Sequence, residues 1–210
     1  MDDKTRAKRI LDILEKEFPD PKPALAFKTP LELLVATILS VQCTDERVNK
    51  TTAVLFKKYK KASDYANADC ASLEAALKNI NFYRNKTASI MKSAKIIAER
   101  HAGKVPDTLE ELTALPGVGR KTANIVLGNA FGIPSLAVDT HVKRVSTRLG
   151  LARADDPDEI EAELCAIIPK KRWTLATHYF IFHGRKTCKA RGPLCNECKV
   201  SAYCDYFKAL

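Results

Sequence analysis

Two sets of residues in this 210-residue chain have types and spacing suited to chemistry. The first centres on Lys121, which follows Pro116, Gly117, Val118, Gly119 and Arg120 in LPGVGRKTANIVL at 115–127. An ammonium in the first turn of a helix feels the positive end of the helix dipole, and here also the charge of Arg120, so the position favours the neutral amine. A neutral amine is a nucleophile able to form a Schiff base with an aldehyde-like carbon. Asp139, in LAVDTHVKRV at 136–145, is a natural N-cap for the helix that follows it. A helix over 120–131 is about 18 Å long, and the seven residues after it span about 23 Å when extended, so the chain can return Asp139 towards Lys121. The second set is Cys188, Cys195, Cys198 and Cys204, spaced C-x6-C-x2-C-x5-C. Four thiolates bind zinc or an iron–sulfur cluster, and the spacing leaves both open.

The elements that must position these groups read as helices throughout, with no sustained alternation of period two, so the fold class is all-α. TPLE at 29–32 offers Thr29 as N-cap, Pro30 in the first turn and Glu32 for a capping box. It opens the apolar run from Leu33 to Gln42, a buried core helix too short to cross a bilayer. Further helices are expected over 45–60, 71–79, 85–101, 108–114, 120–131, 140–149, 157–168 and 171–184. Gly117 and Gly119 allow a compact turn between two of these, with backbone able to take positive φ and to approach another chain closely. The N–H groups that open the second helix then suit an anion such as a nucleic-acid phosphate, without reading bases. After Gly184 the chain turns basic and rich in cysteine, and something other than an apolar core must hold it.

Lys and Arg outnumber Asp and Glu by 35 to 25, a formal charge of +10, which suits a polyanionic partner, nucleic acid first, or a basic surface kept for solubility. The N-terminal MDDKTRAKRILDILEKEF carries Ile10, Ile13, Leu14 and Phe18 among charges, an amphipathic helix and no signal peptide. The chain is therefore expected in the cytoplasm, associated with the nucleoid, with no membrane partner. Cys43, Cys70 and Cys165 have no ligand spacing and read as bystanders.

The string LPGVGRKTANIVL resembles a helix-hairpin-helix, a clamp for DNA phosphates, over about 108–131. Together with VDTHVKRV, ILSVQCTDERVNK at 38–50 and the cysteine spacing, it resembles the endonuclease III family of base-excision-repair glycosylases and abasic-site lyases over nearly the whole chain. That resemblance implies two lobes: a helical domain over 23–133 bearing the hairpin, and a second domain of 1–22 plus 134–210 with a cluster loop at 188–204. DNA kinked into the cleft between them would meet Lys121 and Asp139. It further implies that Lys121 attacks C1′ of a damaged nucleotide, that Asp139 assists, and that the four cysteines hold a [4Fe-4S] cluster. Lysine at this position favours the lyase, since related adenine-mismatch glycosylases usually carry Ser there, a thymine-mismatch branch carries Tyr, and both use a water nucleophile.

Glycosylases extrude their target nucleotide, which leaves a gap for side chains to fill. Gln42 matches the family's gap-filling glutamine, and Phe82 lies where the family has an apolar wedge, commonly leucine. Backbone contacts are expected from Gly117, Val118, Gly119 and Arg120, from His141, Lys143 and Arg144 after Asp139, and from Arg185, Lys189 and Arg191 around the cluster loop. The expected partner is double-stranded DNA with oxidised or ring-saturated pyrimidines such as thymine glycol, or with abasic sites, met by a monomer. The alternatives are a glycosylase for mismatches or pyrimidine dimers, and a module that binds DNA without cutting it.

Overall fold

Capping side chains open most of the helices in the computed structural model, which describes all 210 residues. Asp2 caps α1 (Asp3–Glu17), Thr29 caps α2 (Pro30–Ser40) and Thr44 caps α3 (Asp45–Lys58), each accepting an N–H three residues on. Glu32 reaches one residue further back than a capping box requires and accepts from the Lys28 N–H at 2.5 Å. Then follow α4 (Ala62–Ala66), α5 (Cys70–Leu77), α6 (Tyr83–Arg100), α7 (Leu109–Thr113) and α8 (Arg120–Ala130). The chain ends with α9 (Thr140–Arg148), α10 (Pro157–Ile167), α11 (Trp173–Lys186) and α12 (Asp205–Lys208), with short 3-10 turns at Lys170–Arg172, Cys195–Glu197 and Ser201–Tyr203. No strand forms, and no helix is long and apolar enough to cross a membrane.

Two short helices are absent from the reading of the sequence. Asp64 creates α4 by accepting the N–H groups of Lys60 and Lys61 at 2.8 and 2.9 Å, and α12 lies in the tail. Elements of one turn carry no periodic pattern, so only caps and tertiary contacts define them.

The chain divides into two compact units, Pro23–Ile133 and Met1–Lys22 with Pro134–Leu210. In the first, α2 is buried nearly all round through Leu33, Leu34, Val35, Ala36, Ile38 and Leu39, and α3, α6 and α8 pack on it. Burying each of its leucines and isoleucines contributes about 2 kcal/mol. Leu112, Leu115 and Val118 join this core and fix the α7–α8 turn to it. In the second unit Ala7, Ile10, Leu11 and Leu14 of α1 are buried, α1 packs on α10 and α11, and α11 packs on α9. Arg6, also buried, donates to both carboxylate oxygens of Asp205 at 3.0 Å and to the Gly150 carbonyl, tying the N-terminus to α12.

Candidate functional site

The hairpin between α7 and α8 uses its two glycines differently. Gly117 has φ +79°, and a Cβ there would lie 2.7 Å from the Ser89 Cβ on α6, so both conformation and space require glycine. Gly119 has φ −91° and a Cβ there would meet nothing within 4 Å. This corrects the expectation that both glycines serve a positive φ. Glycine at 119 serves as an N-cap without any steric need for it, and its bare backbone is open to a neighbour outside the chain. Val118 is also corrected as a contact residue: its side chain is buried and its N–H donates to the Leu115 carbonyl at 3.1 Å.

Gly119 is the N-cap of α8 and brings no side chain to its first N–H groups, which have no carbonyl one turn back. Arg120 and Lys121 are exposed in that first turn. The turn is anchored from below by Ser93 of α6, whose hydroxyl donates to the Pro116 carbonyl at 2.8 Å. Lys121 is thus presented on a rigid helix end beside an uncovered stretch of backbone.

Gln42 and Phe82 lie in the same unit, at the α2–α3 and α5–α6 junctions, and both are exposed. Phe82 is 63% exposed, so it is no core residue; Tyr83 is the one that packs against the core. Both Gln42 and Phe82 adopt left-handed backbone, with φ +53° and +56°.

Asp139 caps α9, accepting the N–H groups of His141 and Val142 at 2.8 Å through one carboxylate oxygen. Its other oxygen faces the His141 ring at 3.4 Å. Lys143 and Arg144, expected to meet phosphates, bond within the protein in this structure. The Lys143 ammonium donates to the carbonyl and carboxylate of Asp155 at 2.6 Å. Arg144 donates to the carbonyls of Cys188 and Gly184 at 3.0 and 2.9 Å. Arg148, one turn on, donates to the carbonyls of Lys189 and Ala190 and lies 3.5 Å from the Cys188 sulfur.

Cys188, Cys195, Cys198 and Cys204 line one cavity whose other walls include Leu149, His183, Leu194 and Phe207. No three of them converge tightly enough to hold a single metal ion. Arg185, Lys189 and Arg191 are exposed around the start of this segment, whereas Lys186 pairs with Glu17 at 3.3 Å.

A model of the HhH-GPD superfamily of base excision DNA repair proteins matches residues 35–170. The endonuclease III of Synechocystis sp. is 49% identical over 98% of this chain and 94% of its own length. That of Bacillus subtilis is 47% identical over 92% and 89%. The chain belongs to the HhH-GPD superfamily. A solved endonuclease III, trapped as a covalent intermediate with DNA, superposes with a TM-score of 0.93 at 45% identity, over 100% of this chain and 99% of that one. As an HhH-GPD protein, the chain is a base excision repair enzyme of all-α fold.

Several residues that shape this HhH-GPD site escape a reading by motif. Ser89 and Ser93 seat the hairpin, Arg148 holds the cysteine segment, Asn81 bonds the Gln42 carbonyl, and Lys86 bonds the end of α2 just before it. None belongs to a spaced signature. A buried lysine and serines on a helix face look ordinary until the neighbouring elements are in place.

Proposed function

We propose that this enzyme removes oxidised or ring-saturated pyrimidines, such as thymine glycol, from duplex DNA and cuts the resulting abasic site. The observation that carries the reading is an exposed Lys121 in the first turn behind the hairpin, in a chain alike over its whole length to endonuclease III. The Lys121 amine attacks C1′, and the base leaves with the bonding electron pair and takes up a proton; the nitrogen then loses a proton as the C1′–O4′ bond opens, O4′ takes up a proton, and the sugar stays bound as an imine. Loss of a C2′ proton then expels the 3′ phosphate by β-elimination. The Asp139 carboxylate stabilises positive charge on the sugar and assists proton transfer while it caps α9. Phosphates are held by the N–H groups that open α8 behind Gly119 and by the Arg120 side chain, and beyond them by Arg185, Lys189 and Arg191.

The donor set fits a [4Fe-4S] cluster: four thiols line one cavity, with Arg148 beside the Cys188 sulfur. Cys188, Cys195, Cys198 and Cys204 would hold it, and its contribution is to pin the basic loop.

Borohydride trapping on a thymine glycol duplex tests the reading. Wild type gives a covalent adduct that Lys121→Ala, an exposed substitution, abolishes. Asp139→Asn keeps an oxygen to cap α9, so its stability stays within about 0.5 kcal/mol of wild type while trapping slows by about 100-fold. Base release without any adduct from wild type overturns the mechanism.

A further inference from the structure

Residues other than glycine rarely occupy left-handed backbone, at a cost of about 1 kcal/mol or more each, and persist there only where the surroundings impose it. Gln42 and Phe82 both do so at exposed junctions of the same unit. Two side chains near Phe82 in sequence, Asn81 and Lys86, bond carbonyls of the segment from Leu39 to Gln42. The Asn81 amide donates to the Gln42 carbonyl at 2.6 Å, and its own oxygen accepts from Arg47 of α3 at 3.3 Å. Lys86, one turn into α6, is 7% exposed and donates to the carbonyls of Leu39 and Val41 at 2.9 and 2.5 Å.

Lys86 caps the end of α2 with a charge, which suits the negative end of a helix dipole. Burial lowers its pKa from the ordinary lysine value, and no carboxylate offsets that cost. An apolar side chain there would leave the Leu39 and Val41 carbonyls without this donor. What the ammonium adds is a fixed position for the chain on either side of Ser40.

We infer that Asn81 and Lys86 are positioning residues that lock the Gln42 and Phe82 junctions into one rigid two-pronged wedge, made before DNA is met. The inference rests on the reading that Gln42 enters the duplex. Each prong reaches into stacked bases, so freedom in either would be lost on insertion and would weaken entry. Asn81 and Lys86 remove that freedom in the folded protein. Arg47 extends the lock by holding the Asn81 amide with its N–H groups towards Gln42.

The test compares lyase kcat/KM on one abasic strand, single-stranded and in duplex, for the full-length protein. A wedge matters only where a stack must be opened, so the duplex-to-single-strand ratio isolates it. Asn81→Ala and Asn81→Asp, both at an exposed position, lower that ratio about five- to tenfold, the size of one hydrogen bond. Lys86→Met lowers it as well, together with the thermal midpoint. In a Gln42→Ala background Asn81→Ala has less than a twofold further effect, because the prong it positions is gone. The inference is overturned if Asn81→Ala leaves the ratio unchanged while Gln42→Ala lowers it, or if Asn81→Ala depresses both substrates equally. If Gln42→Ala itself leaves the ratio unchanged, the reading beneath fails and takes the inference with it.

Discussion

Glycine at two neighbouring hairpin positions answers two different demands. At 117 the demand is internal, a positive φ and a Cβ that would collide with the Ser89 Cβ, so Gly117→Ala costs about 2–3 kcal/mol of stability. Ser89→Ala cannot relieve it, since the clash involves the Cβ that alanine keeps. At 119 the φ is ordinary and the space empty, so Gly119→Ala costs only about 1 kcal/mol, the difference between glycine and alanine as N-cap. It should in addition weaken DNA binding, by holding a phosphate off the backbone. Urea unfolding and titration with an abasic duplex, run on both variants, check the pair: Gly117→Ala loses more stability, and Gly119→Ala loses affinity beyond what its small loss of stability explains. Asp139 divides its carboxylate in a similar way, with one oxygen committed to the cap and the other beside His141.

At the scale of elements, α6 and α9 act as scaffolds on which the functional loops are hung. On α6, Lys86, Ser89 and Ser93 follow at spacings of three and four, so they share one face. That face serves the end of α2 and the hairpin turn. On α9, Arg144 and Arg148 stand four apart and between them bond the carbonyls of Gly184, Cys188, Lys189 and Ala190. Gly184 lets α11 cross close to α9, since a Cβ there would lie 3.2 Å from His141. The start of the cysteine segment is thereby fastened to the helix that Asp139 opens. Arg148 also stacks over Tyr206 at 4.6 Å. Arg148→Ala is expected to cost about 2–3 kcal/mol, lowering the midpoint of thermal unfolding by several degrees. Arg148→Lys recovers only part of it, because a compact ammonium replaces neither the spread of the guanidinium N–H groups nor its planar stacking over Tyr206.

For the whole molecule, a formal charge of +10 makes DNA affinity depend steeply on salt. Exposed Lys189 and Arg191 belong to the proposed phosphate set, so replacing either with Ala should reduce the slope of log K against log salt by about 1. Lys186 is held by Glu17 and lies 5.4 Å over the Phe18 ring, so Lys186→Ala should leave the slope much closer to wild type. Fluorescence anisotropy across a range of salt concentrations separates the three.

Patterns local in the chain were decisive for much of this protein. Helical periodicity and caps such as Thr29 and Asp139 specified the long helices, because those signals lie within a turn or two of the residues they order. The hairpin string and the four cysteines were legible because their chemistry depends on spacing along the chain. Tertiary structure decided what depends on distant partners. It buried Val118, turned Arg144 onto the carbonyls of Gly184 and Cys188, and showed that Gly117 needs glycine for its neighbour as well as its φ. It alone brought Asn81 and Lys86 to carbonyls some forty residues away. A hydrogen bond between segments so far apart leaves no periodic mark, because chain spacing does not determine which carbonyl a buried ammonium will find.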